Sequence, residues 1–78
     1  MIQELEIVVL TRDFADHGLK EGDVGTVVHK YREDSFEVEF MTAEGRTVAV
    51  LTLIEGDIRG LRAREILHVR EMSQAINA

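Results

Sequence analysis

The chain has 78 residues, of which 45% are apolar and 31% charged, and it contains no cysteine, proline or tryptophan. That apolar share excludes a chain kept disordered by low hydrophobicity, and the lack of cysteine excludes a disulfide scaffold and a thiolate metal site. The net charge of −6 sets a field that repels phosphate backbones and anionic lipid, and the length suits one thin core without a second domain to form a cleft.

Glu6 to Thr11 is short and rich in β-branched residues, which predicts a strand, apolar on both faces at its centre. Asp13 to Asp23 holds two glycines and three aspartates and predicts a long loop, with Phe14 and Leu19 pinning it to the core. Val24 to Tyr31 predicts a second strand, in which Gly25 marks a bulge or a close backbone approach. Arg32 to Ser35 is a turn. In Phe36-Glu37-Val38-Glu39-Phe40 strict alternation sends Phe36, Val38 and Phe40 inward and both glutamates to water.

Thr42-Ala43-Glu44-Gly45 predicts a tight hairpin, with Gly45 free to take positive φ. Arg46 to Ile54 is a long fourth strand with weak alternation. Its run from Val48 to Ile54 carries six apolar residues in seven, either covered by the loop and the C-terminal turn or left as an exposed patch of the kind that marks interfaces. Leu61 to Ile66 suits one helical or 3₁₀ turn. Leu67 to Arg70 alternates and predicts a short closing strand. The expected architecture is all-β: a small five-stranded SH3-like barrel over residues 1–71, with a long first loop and a short helical turn before the last strand, then a flexible tail over 72–78. Closure of the sheet would remove most edges. The alternative is an open antiparallel sheet with a C-terminal helix.

Gly22-Asp23-Val24-Gly25-Thr26-Val27 forms a Gly-Asp-x-Gly-x-Val core that resembles the KOW-type motif of ribosomal and transcription-factor domains. It is also similar to a strand of the nitrile hydratase beta subunit. With the strand Ile7 to Thr11, the run Gly18 to Val28, Phe36 to Phe40 and Thr47 to Leu53, the chain resembles a family of short, stand-alone bacterial proteins classed as a domain of unknown function. The resemblance covers about residues 3–58. It implies an SH3-like fold, offers no activity, catalytic residue or cofactor, and points to an antitoxin- or immunity-like role beside a neighbouring gene product. The arginines after Ile58 depart from the usual family ending.

Charge is divided along the chain. Residues 1–57 hold thirteen acids and five bases, whereas residues 58–78 hold four arginines and two glutamates. The basic end either pairs with the domain's own carboxylates or forms a docking patch for an acidic partner. No apolar run approaches the roughly 20 residues that span a bilayer, and Glu4 and Glu6 interrupt any signal-like start. A cytoplasmic protein is expected.

No catalytic set is readable. His17, His29 and His68 share no metal-ligand spacing, so no metal and no cofactor is expected. Glu37 and Glu39 lie on a solvated face. The glycines at 18, 22 and 25 lack the Lys-Ser/Thr of a phosphate loop. Tyr31 is the one aromatic expected to be exposed, too few for a proline-rich ligand. The leading expectation is a non-enzymatic protein-binding module, docking through the fourth strand and the residues Tyr31, Arg59, Arg62, Arg64 and Arg70, with another protein or a second copy as partner. The alternative is a KOW-like nucleic-acid binder using Lys30, Tyr31, Arg32 and the same arginines. An enzyme would need a concave site lined by His29 or the paired glutamates.

Overall fold

A computed structural model describes residues 2–32 and 34–72. Five strands, β1 (Ile7–Leu10), β2 (Val24–Arg32), β3 (Ser35–Met41), β4 (Thr47–Ile54) and β5 (Ile58–Gly60), form one sheet. Its spatial order is β4-β3-β2-β1-β5, and every neighbouring pair is antiparallel. Two single 3₁₀ turns interrupt it, at Ala15–His17 and Glu55–Asp57. No helix among the described residues is long and apolar enough to cross a membrane.

Alternation builds the inner face. Val8 and Leu10 of β1, Val27 of β2, Phe36, Val38 and Phe40 of β3, Leu53 of β4 and Ile58 of β5 share one buried cluster. Both edge strands thus contribute to the same core, so the sheet wraps around it. Leu19 is buried in the cluster and Phe14 packs against it, pinning the long loop as its apolar residues predict. The loop is fixed elsewhere by polar groups. Thr11 Oγ1 donates to the Gly56 carbonyl at 2.7 Å, and Arg12 Nε donates to Asp57 Oδ1 at 2.9 Å. The Arg12 guanidinium also stacks over the Phe14 ring, 4.0 Å from its centroid.

Gly45 takes φ 88° in the β3–β4 hairpin, where its N–H donates to the Thr42 carbonyl. Gly25 is a site of close approach, inward-facing beside Val8. The register shifts in β2 fall elsewhere, at Val28 and Tyr31.

The end of the chain departs from the expected pattern. The short helical turn lies at Glu55–Asp57 rather than Leu61 to Ile66, and the last strand lies at Ile58–Gly60 rather than Leu67 to Arg70. The physical reason is burial: Ile58 pairs with Leu10 and fills the core, whereas residues 61–71 are all exposed. Alternation in Leu67 to Arg70 gives the pattern of a strand, but among the described residues no strand lies beside it. Residues 61–72 instead form an arm laid over the body. Met72 of the expected tail is half-buried, and the rest of that tail lies outside the described residues. β4 also keeps an outer edge, with no strand paired to it among the described residues.

Candidate docking surface

Two bidentate ion pairs hold the arm. At its start, Arg59 points outward from β5 and its guanidinium donates to both oxygens of Glu65, at 3.0 and 2.6 Å. The Arg62 N–H also donates to Glu65, at 2.7 Å, closing a turn. These donors, Arg59 first, pull the Glu65 carboxyl down to about 2. Near the arm's end, Arg70 donates to both oxygens of Asp23, at 2.8 and 2.6 Å, and to the Gly18 carbonyl at 2.9 Å. Burial alone would raise the Asp23 carboxyl; Arg70 and the Lys20 N–H outweigh it and hold the group below its ordinary value. A planar guanidinium matches a carboxylate edge and a carbonyl together, which a lysine does not.

Between these clamps nothing apolar anchors the arm. Ile66, Leu67 and Val69 are 90%, 70% and 89% exposed. The stretch from His68 to Met72, Val69 included, forms one wall of an open groove of about 800 Å³. The β3–β4 hairpin from Met41 to Arg46 forms the facing wall, and Leu19, Val24, Phe40 and Val48 add apolar surface.

The other face of the sheet carries a polar row. Glu37 Oε1 accepts from the Tyr31 hydroxyl at 3.0 Å and from Thr52 Oγ1 at 2.8 Å. His29, opposite Glu37 in the ladder, stands edge-on to Tyr31 with ring centroids 4.5 Å apart. Its Nδ1 lies 3.4 Å from Glu4 Oε2. Along β4, Val50 and Ile54 are exposed, as is Met41 at the end of β3.

The five expected docking residues therefore do not form one patch. Tyr31 lies seven positions beyond Val24 on β2, about 20 Å along the strand, while Val24 and Arg59 both neighbour Val9. Arg59, Arg62, Arg64 and Arg70 gather at the arm, and Arg59 and Arg70 pair with the domain's own carboxylates, as one of the two readings of the basic end holds. Asp23 and Glu65, the residues that organise this end, carry no such signal in the sequence. Asp23 and Arg70 are 47 positions apart, and only the i, i+3 spacing of Arg62 and Glu65 hinted at a turn. Among the described residues no group of three or more His, Cys, Asp or Glu side chains is placed to hold a metal ion.

The model of one protein family, described as Domain of unknown function (DUF4926), matches residues 4–59. No curated protein matches the chain, and no solved structure matches it.

Proposed function

The chain belongs to the DUF4926 family, a domain of unknown function, and from its geometry we propose a non-enzymatic protein-binding module, an accessory or antitoxin-like partner in the cytoplasm. The observation that carries this reading is the outer edge of β4. It lacks a paired strand among the described residues and displays Val50 and Ile54, with Met41 alongside. An extended segment of a partner adds to such an edge through main-chain hydrogen bonds, and alternate side chains supply specificity. The strand order, with a 3₁₀ turn leading into β5, supports an SH3-like description of the scaffold.

The nucleic-acid alternative draws less support. Arg59 and Arg70 already share their charge with Glu65 and Asp23, and Tyr31 donates to a carboxylate, which repels phosphate. The test is a pull-down from the native host with the wild type and with Val50→Lys/Ile54→Lys. A protein held by the wild type and released by the variant supports the reading. Equal retention by both, or no retained protein, refutes it.

A further inference from the structure

We propose that the C-terminal arm exchanges between two copies of this chain, so that Arg70 of one copy donates to Asp23 and the Gly18 carbonyl of the other. Three observations lead there. First, the arm carries no buried residue from 61 to 71; among the described residues its hold on its own body is the pair of ionic clamps and the half-buried Met72. The same clamp at Asp23 is made equally well by an arm arriving from a second copy, which is the condition for low-cost swapping.

Second, the segment between the clamps is unfinished. Ile66, Leu67 and Val69 stand in water, and residues 66–71 make no backbone–backbone hydrogen bond among the described residues. In an exchanged pair this segment must cross from one body to the other. Its apolar side chains then lie between two bodies instead of facing solvent, and that burial favours the pair over the closed single chain. Third, the charges match. The arm and β5 carry four arginines against two glutamates, and the remainder of the chain is strongly acidic. The cradle of Asp23 and Gly18 lies within residues 4–59, which the family model matches, whereas the arm lies beyond that match.

The cradle of Asp23 and Gly18 shares no residue with the β4 edge at Val50 and Ile54, so failure of arm exchange leaves the docking reading standing, and the reverse. The test uses charge reversal. Neither Asp23→Arg nor Arg70→Asp alone retains the clamp, in one copy or between identical copies. Mixed, they restore it twice over: Arg70 of the first meets Asp23 of the second, and Asp at 70 of the second meets Arg at 23 of the first. The expected result is a dimer for the wild type by sedimentation, monomers for each variant alone, and a one-to-one mixed dimer by native mass spectrometry. Asp23 also accepts the Lys20 N–H, so circular dichroism must show each variant folded. Should Asp23→Arg unfold, Arg70→Asp alone decides, since it leaves the body untouched and must convert a wild-type dimer into a folded monomer. A wild type that sediments as a monomer at all concentrations, a folded Arg70→Asp that stays dimeric, or two folded variants that form no mixed dimer overturns the proposal.

Discussion

Gly25 sits against the Phe40 ring with no room for a methyl group. A Cβ at residue 25 falls 2.8 Å from a ring carbon and 2.9 Å from the Glu39 carbonyl oxygen. The glycine is thus required by packing between β2 and β3 and by neither a turn nor positive φ. Phe40 is itself buried in the core and cannot swing away freely. Gly25→Ala is expected to lower stability by about 1–3 kcal/mol, the range for overpacking a filled core. Urea unfolding checks it: the midpoint should fall with little change in slope.

Phe36 tests the opposite fault. It is among the largest fully buried side chains, 1% exposed, and lies opposite Leu53 in the ladder. Phe36→Ala should cost about 3–5 kcal/mol through lost burial and the cavity left behind. For so small a core that loss approaches the whole stability. Tyr31, five residues earlier in the chain and on the solvated face, supplies the control: Tyr31→Phe should change stability by less than about 0.5 kcal/mol. Equal losses from both substitutions would contradict the inward placement of Phe36.

The contrast between the first 57 residues and the last stretch shows which features the residues reveal by themselves. Period-two alternation in Phe36 to Phe40 and the β-branched run from Ile7 identify strands because burial acts locally, one residue in and the next out. Loop and hairpin glycines mark their turns for the same local reason. Leu67 to Arg70 has the same alternation yet no strand partner among the described residues, because three residues at Ile58–Gly60 already occupy the free side of β1. Competition for one sheet edge goes to the segment that also buries a side chain in the core, as Ile58 does, and alternation alone does not encode it. The C-terminal arm is harder still. Arginines announce a basic end, but their partners Asp23 and Glu65 are assigned only once folding brings the loop beneath the arm.

The Tyr31 hydroxyl donates to Glu37, and that carboxylate raises the phenol above its ordinary value. The direction follows from both effects named: accepting the hydroxyl proton stabilises the neutral form, and the nearby negative charge opposes the phenolate. Glu37→Gln removes the charge and weakens the acceptor. Tyr31 is the only tyrosine in the chain, so its ultraviolet titration is free of overlap. Phenolate absorbance should rise at lower pH in Glu37→Gln than in the wild type. An unchanged titration would mean that the two side chains do not meet in solution.

The clamp at the root of the arm should fail in acid, in a window set by Glu65. Its carboxyl lies at about 2 when paired with Arg59 and at 4.5 when free. A folded-state value below the free value means that the folded form binds fewer protons, so the contribution is complete above pH 4.5 and is lost as the pH falls through about 2. Asp23, also held below its ordinary value, weakens the second clamp in the same direction. The carboxyl resonance of Glu65, followed by nuclear magnetic resonance, should titrate near the lower figure in the wild type. In Arg59→Gln it should move up, but not fully to 4.5, because the Arg62 N–H still donates to the same carboxylate. Added salt should raise the wild-type value as well, since the pair is exposed and screened. A Glu65 midpoint that ignores both the Arg59 substitution and salt would show that the arm is not fastened there.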